Sequence, residues 1–219
     1  MKKENNISPE KIFEIYGDFI LNNGERPKNI YLFAKENNFE EKDFYNYFAS
    51  FEHIEKLMIT HLFERSVELA SEVNDTDTIT AKEKLLNVYF IFFENMTMNR
   101  SLVLMILGKD KMNSIKILQS LKEAHKSFVK TLDFNEMEIL KNAKGDVKNF
   151  TEKSREEALW LHLMSCIEFW KKDNSPSFEK TDLFIEKTVD TGFELIDNEP
   201  LRKIVDLGKF LWKEKFKAN

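Results

Sequence analysis

The chain has 219 residues, enough for one large domain or for a small module joined to a larger one, and its formal net charge is −5. Only 6 glycines and 4 prolines punctuate it, which argues against an all-β sandwich or barrel, because the many turns of those folds require both residues. With 42% hydrophobic and 32% charged residues, the composition is typical of a folded globular chain. We therefore predict an all-α fold of about nine or ten helices.

Three helices are predicted in the first 50 residues. Ser8-Pro9 is a typical helix start, and apolar residues then recur at helical spacing as far as Gly24. A second helix is predicted from Pro27 to Asn37-Asn38, where Asn tolerates the left-handed backbone of a tight turn. The third is predicted from Glu40 to Phe48. Two short helices joined by a turn, behind a longer one, match the outline of a helix-turn-helix module.

The remaining helices are predicted from caps and apolar periodicity. Ser50 caps a helix that runs to about Val73, and the polar segment 74–78 is predicted as a loop. Capping boxes are predicted at Thr80 with Glu83 and at Ser154 with Glu157. The helices predicted beyond residue 80 are Leu85–Met98, Leu102–Leu107, Ile115–Leu132, Phe134–Leu140, Ala158–Trp170, Phe178–Ile196 and Leu201–Phe216, with a turn at Lys144-Gly145-Asp146.

One segment carries a family resemblance. Phe33-Ala34 precedes the turn, Tyr45-Asn46-Tyr47-Phe48 ends the third helix, and Ser50-Phe51-Glu52 follows, with Ile54 beyond it. This order resembles the DNA-binding motif of the TetR family of transcriptional regulators, and the resemblance covers about the first 60 residues. It implies a DNA-binding-like domain over residues 1–50 and a helical ligand-binding and dimerisation domain over 51–219.

The resemblance also implies the roles of particular side chains. In the family, the exposed face of the third helix enters the major groove, and residues near its ends meet phosphates. Carried over to this chain, the DNA-binding residues are Lys28, Lys42, Tyr45, Asn46 and Tyr47. We expect Phe44, Phe48 and Tyr45 to fill a small core against Phe33, Ile30 and Ile12. A homodimer is implied, with Ala158–Trp170 and Phe178–Ile196 as its contact.

The predicted recognition helix departs from the family in its charge. Glu40 stands where the family usually has Ser or Thr, and Phe51 replaces the lysine of the Ser-Lys-Glu pattern. Six acidic and two basic residues lie between Glu36 and Lys56, a net charge of −4. Because DNA affinity depends on neutralising phosphates, this segment is predicted to repel DNA.

Two functions follow from these observations. In the first, the chain is a TetR-family-like transcriptional regulator whose DNA binding is controlled by a small apolar ligand in the C-terminal domain. In the second, it is a TetR-fold protein that has lost DNA binding and acts as a lipid- or hydrophobe-binding homodimer. The resemblance favours the first, and the charge pattern favours the second.

A ligand chamber is predicted in the middle helices, where many of the 20 phenylalanines and 8 methionines are concentrated. Helices that are apolar on nearly all sides must be buried, and Met98 is included in this expectation. A filled core is the alternative to a chamber. For a chamber, the absence of Arg or Lys clusters predicts an apolar or weakly polar ligand. The candidate ligand-binding residues are Tyr89, Phe92, Phe93, Met96, Met105, His125, Trp160, His162 and Met164.

Other chemistry is not indicated by the sequence. The four histidines show no metal-binding spacing, and the six glycines are isolated rather than grouped in a phosphate-binding loop. Cys166 lies in an apolar helical segment, where we expect a buried, unreactive thiol with a raised pKa. We therefore expect no metal, no cofactor and no enzymatic activity. The lack of a secretion signal or a membrane-length apolar stretch predicts a cytoplasmic protein without a membrane span.

Overall fold

The computed structural model describes residues 7–73, 79–108, 111–134 and 146–197, and all regular secondary structure in these ranges is helical. Ten α-helices and one short 3-10 helix, Pro176–Phe178, are present there, as the sequence predicts for an all-α fold. The α-helices are α1 (Pro9–Asn23), α2 (Ile30–Glu36), α3 (Glu41–Tyr45), α4 (Phe51–Val73), α5 (Ala81–Met98), α6 (Arg100–Leu107), α7 (Lys111–Gln119), α8 (Leu121–Thr131), α9 (Asp146–Lys172) and α10 (Glu179–Asp197).

The chain divides into two compact units. The first unit comprises Met1–Leu69 and Ile91–His125, and the second comprises Ala70–Phe90 and Lys126–Asn219. Helices α4, α5 and α8 contribute residues to both units. The domain boundary that the family resemblance implies, after residue 50, stays a prediction.

The ends of α1 and α2 are fixed by local hydrogen bonds. The Ser8 hydroxyl accepts the Lys11 N–H at 3.2 Å, and the N–H of Gly24, whose φ is +76°, donates to the Ile20 carbonyl at 2.9 Å. A glycine suits this position because side chains rarely tolerate that backbone conformation. Helix α2 begins at Ile30 rather than at the predicted Pro27, since the Asn29 side chain accepts the Leu32 N–H at 2.8 Å and caps it there.

An aromatic core holds α1, α2 and α3 together. The Phe33 ring lies at its centre, fully buried, in edge-to-face contact with the Tyr16 ring at 6.0 Å and with the Phe44 ring at 6.4 Å. Helix α3 ends at Tyr45, earlier than predicted, but Phe48 remains buried because its N–H donates to the Phe44 carbonyl in the following turn. The prediction that Tyr45 joins this core is wrong, since 53% of it is exposed.

Two predicted caps are confirmed by hydrogen bonds. The Ser50 hydroxyl accepts the His53 N–H at 3.1 Å at the start of α4. Before α5, the Thr80 hydroxyl accepts the Glu83 N–H at 3.2 Å, and the Glu83 carboxylate accepts the Thr80 N–H at 2.9 Å.

Three other expectations are corrected. The predicted helix Ile115–Leu132 is divided at Ser120 into α7 and α8, because the Ser120 hydroxyl donates to the Ile117 carbonyl at 2.6 Å and competes with helix continuation. Ser154 lies inside α9 rather than capping it, since the helix starts at Asp146. Met98, at the end of α5, is 67% exposed rather than buried. The predicted helices 134–140 and 201–216, the loop 74–78 and residues 144–145 of the predicted turn lie outside the described residues, apart from Phe134 itself.

Candidate nucleic-acid interface and ligand-binding sites

Four of the five predicted DNA-binding residues lie on α3 or in the turn after it. Because Phe44 turns into the core, Tyr45 and Tyr47 remain 53% and 38% exposed, and Asn46 is exposed between them. The Lys42 ammonium forms an ion pair with Glu40 at 3.0 Å. Lys28 is also exposed but lies apart in sequence, before α2. The helix therefore presents a short polar and aromatic surface.

The charge of this region differs from the sequence prediction because Glu55 is not on the surface. Its carboxylate is 2% exposed and accepts the Tyr16 hydroxyl at 2.6 Å and the Arg26 Nε at 2.7 Å, and the Arg26 Nη2 donates to its other oxygen. Burial and the hydrogen bond to Glu55 raise the pKa of Tyr16, so this hydroxyl stays protonated and donates. Glu55 therefore does not contribute to the repulsive surface predicted from the acidic residues.

Phe51 has a structural role that the sequence analysis missed. Its ring stacks on the Tyr16 ring at 5.3 Å and lies 5.6 Å from both the Phe33 and the Phe44 rings. The aromatic residues Phe44, Tyr47 and Phe48, seven, four and three positions before it, were a signal that could have placed it in the core. The position that carries a phosphate-binding lysine in the resembling family is used here for packing.

The predicted ligand-binding residues of the first unit mostly fill its core. Phe92, Phe93, Met96 and His125 are no more than 2% exposed. The Phe63 ring joins two of them, lying 5.3 Å from the Phe92 ring and 5.7 Å from the His125 ring. Their burial and ring contacts are those of core residues, and their role in ligand binding stays a prediction.

Met105, in contrast, lines a pocket of about 600 Å³ in the first unit. Ile20, Leu104 and Ile106 supply further apolar lining, and Glu25, Arg26 and Glu55 supply charged groups. Gly24 and Gly108, at the ends of α1 and α6, also line it, together with Asn113 of α7. The sequence analysis did not predict this pocket, because its lining residues come from three separate parts of the chain.

In the second unit, Tyr89 and His162 form a stacked pair, with ring centroids 5.7 Å apart and planes 12° apart. The Tyr89 hydroxyl donates to the Leu159 carbonyl at 3.3 Å. His162 Nε2 lies 2.7 Å from the Thr188 hydroxyl oxygen, and that hydroxyl donates to the Phe184 carbonyl at 2.6 Å. His162 Nε2 is therefore the donor to Thr188, and Nδ1 is left as an unprotonated acceptor.

That acceptor has no hydrogen-bond partner within the described part of the chain, although the atom is buried. Burial lowers the pKa of His162, which keeps the imidazole neutral. Of the other two candidates in this unit, Trp160 is 8% exposed and Met164 is half-buried. The predicted burial of Cys166 is confirmed, because its side chain is fully buried, and this burial raises the pKa of the Cys166 thiol to about 12. The arrangement can accept a hydrogen bond from a weakly polar ligand.

The described ranges contain no group of three or more His, Cys, Asp or Glu side chains that could hold a metal ion. Nor do they contain a single helix long and apolar enough to cross a membrane; α5 and α6 meet that requirement only when taken together, and they are bent by 91°.

The described residues form an aromatic three-helix segment followed by seven further α-helices, which places the protein in the all-α class. Residues 84–211, more than half of the chain, match the family model described as "Tetracyclin repressor-like, C-terminal domain", and the chain belongs to this family. Proteins of this family are regulators rather than enzymes. The family predicted from residues 33–54 is therefore confirmed by a separate part of the chain, and the matched region does not include the predicted helix-turn-helix.

One solved structure resembles the chain, titled "Structure of a protein with unknown function from Rhodococcus sp. RHA1". It is 10% identical, the match covers 87% of this chain and 96% of that chain, and the TM-score is 0.46. No curated protein matches the sequence.

Proposed function

We propose that this chain is a transcriptional regulator that binds DNA through α3 and responds to a small apolar or weakly polar ligand. The observation that carries the DNA-binding half is the exposed surface formed by Tyr45 of α3 and by Asn46 and Tyr47 in the turn after it, in a chain of this family. Tyrosine and asparagine side chains donate and accept hydrogen bonds, as contacts to base edges and phosphates require. Lys42 and Lys28 supply the positive charge for phosphate contacts.

The ligand-binding half of the proposal rests on the second unit. Tyr89, His162, Trp160 and Met164 provide aromatic and deformable apolar surface, and His162 Nδ1 provides a buried acceptor that lacks a partner among the described residues. An unsatisfied buried acceptor costs about 1–3 kcal/mol, and a ligand that donates a hydrogen bond to it would recover much of that cost. A ligand with an apolar body and one hydroxyl or amide group fits this description.

The proposal includes a homodimer formed by α9 and α10. Leu161 on α9 is 65% exposed and Leu183 on α10 is 47% exposed, so each helix presents a large apolar side chain to solvent. Size-exclusion chromatography with light scattering tests this contact. Leu161→Glu is expected to give the monomer mass, whereas Met98→Glu, which changes an equally exposed residue of the first unit, is expected to leave the dimer intact. A Leu161→Glu variant that remains dimeric would contradict this contact.

A second candidate function is supported by the carboxylates around α3. Glu36 and Glu40 are exposed and Glu41 is half-buried, and Phe51 occupies the position of a phosphate-binding lysine. Carboxylates facing phosphates weaken DNA binding through repulsion and through the loss of counterion release. In this alternative, the chain is a lipid- or hydrophobe-binding homodimer that no longer binds DNA.

A gel-shift titration with the DNA upstream of the protein's own gene distinguishes the two functions. At about 50 mM salt the regulator is expected to retard this DNA, and its affinity is expected to fall only modestly towards about 200 mM, because few lysines are available to contact phosphates. Lys42→Gln is expected to weaken DNA binding and to reduce the slope of log affinity against log salt concentration by about one. Lys11→Gln is the matched control, because Lys11 also pairs with a nearby glutamate, at 2.8 Å, but lies on α1. No retardation at the lower salt concentration would reject the regulator and favour the alternative.

Native mass spectrometry tests the ligand under either function. Protein purified without denaturation is expected to carry an adduct of lipid-like mass on a dimer. His162→Phe keeps an aromatic ring and removes the acceptor, so it is expected to lose the adduct while the dimer remains. Retention of the adduct by this variant would contradict the role of His162.

A further inference from the structure

The pocket of the first unit is chemically different from the apolar chamber predicted from the sequence. Its apolar surface comes from Ile20 at the end of α1 and from Leu104, Met105 and Ile106 of α6. Its volume of about 600 Å³ lies in the range of pockets that hold small organic molecules. Met105 is an unbranched side chain that adapts to ligands of different shapes.

The charged lining is unbalanced. Glu25 and Glu55 contribute two carboxylates, and Arg26 contributes one guanidinium. The guanidinium donates to both oxygens of the buried Glu55 carboxylate, so these two charges neutralise each other. Glu25 is exposed and forms no ion pair in the part of the chain that the structure describes. The charge that remains in the pocket is therefore negative.

We propose that this pocket binds an amphipathic organic cation, whose apolar body lies on Leu104 and Met105 and whose ammonium group pairs with Glu25. A carboxylate ligand fits less well for two reasons. Arg26, the only cation in the described lining, is already paired with Glu55, and the ligand's carboxylate would be repelled by Glu25. This site goes beyond the proposed function, since it lies on other residues than the His162 pair and does not require DNA binding.

Three probes of matched shape test the charge preference: 4-phenylbutylamine, 4-phenylbutanol and 4-phenylbutyrate. The full-length protein, labelled at the methyl groups of Ile, Leu and Met, is titrated with each and followed by NMR. We expect the amine to bind most tightly and the carboxylate least tightly, with the largest shifts at the methyls of Leu104, Met105 and Ile106. Equal affinity for the three probes, or shifts confined to methyls outside the pocket, would overturn the proposal.

Two glutamate variants test the position of the cation. Glu25→Gln is expected to weaken amine binding about threefold, the effect of losing one solvent-accessible ion pair, and to leave the affinity for the alcohol unchanged. Glu64→Gln is the matched control, because Glu64 is also exposed but lies on α4 away from the pocket lining. Both side chains are on the surface, so both variants are expected to fold. Unchanged amine affinity in Glu25→Gln would refute the pairing of the ammonium group with Glu25.

Discussion

Asp173 is predicted to stabilise the fold through the start of α10. Its carboxylate is 6% exposed and lies just beyond the end of α9. One oxygen accepts the N–H of Ser175 at 2.8 Å and its hydroxyl at 2.7 Å, and the other accepts the N–H of Thr181 at 2.9 Å and its hydroxyl at 2.7 Å. The side chain therefore connects the end of one long helix to the first turn of the next, where a negative charge is also favoured by the helix dipole.

These hydrogen bonds determine how much Asp173 stabilises the folded state and how that stabilisation depends on pH. Burial raises the pKa of the Asp173 carboxyl, but the hydrogen bonds from Ser175 and Thr181 outweigh it and lower the pKa from 3.8 to about 2. A shift of this size corresponds to about 2 kcal/mol of folding free energy at neutral pH. Because the pKa is lower in the folded state, the full stabilisation is present above pH ~4 and is lost as the pH falls towards ~2, with about half remaining at pH ~3.

Urea unfolding of the wild type and of Asp173→Asn measures this contribution. The difference in unfolding free energy is expected to be about 2 kcal/mol at pH ~7 and at pH ~5, and about half as large at pH ~3. Asp18→Asn is the matched control, because Asp18 is exposed on α1, and it is expected to change stability by less than about 0.5 kcal/mol. An Asp173→Asn variant as stable as the wild type at pH ~7, or a difference that does not shrink on acidification, would refute the reasoning.

Two further substitutions and one labelling experiment test the packing of the chain. Arg26→Met is expected to destabilise it by about 3 kcal/mol in urea unfolding, because Glu55 loses its countercharge in a buried site, whereas Arg65→Met, in an exposed pair, is expected to cost less than about 1 kcal/mol. Phe51→Lys is expected to lower stability by about 2 kcal/mol without strengthening DNA binding, since the ring packs on three others; a stable variant with higher affinity in the gel shift would contradict this. Cys166 is expected to react with a thiol reagent at pH ~8 only after unfolding, and rapid labelling of the folded protein would contradict its burial.

The accuracy of the sequence predictions depended on how local the determining contacts are. Ser8, Gly24 and the Thr80–Glu83 pair were identified correctly because each cap is completed within about four residues. The capping box at Ser154 failed for a related reason. The same short pattern also occurs within helices, and the charged residues around Ser154 are good helix formers, so α9 continues through it. A cap pattern predicts a helix start only where the preceding residues leave the helix.

The contacts that define the sites are separated too widely in sequence to be predicted in this way. From its sequence neighbours, Glu55 is expected to be one more acidic residue on the surface. Its partners Arg26 and Tyr16 lie 29 and 39 residues away along the chain, so their contacts with Glu55 could not be predicted. The hydrogen bond between His162 and Thr188 spans 26 residues, and the lining of the 600 Å³ pocket combines α1, α4, α6 and α7. Residue types suggested candidates for these sites, but only the packing of helices decides which candidates meet.

The pairing of Arg26 with Glu55 also bears on the choice between the two functions. Among the described residues of the first 50, the remaining basic side chains are all lysines: Lys11, Lys28, Lys35 and Lys42. Lysine contacts phosphate as a point charge and lacks the bidentate geometry of arginine, so it holds a duplex with less orientation. DNA binding by residues 1–50 would depend on few ionic contacts and on hydrogen bonds from Tyr45, Asn46 and Tyr47. A shallow salt dependence with strong sequence preference is therefore the signature expected of the regulator, whereas a steep dependence without preference would point to charge alone.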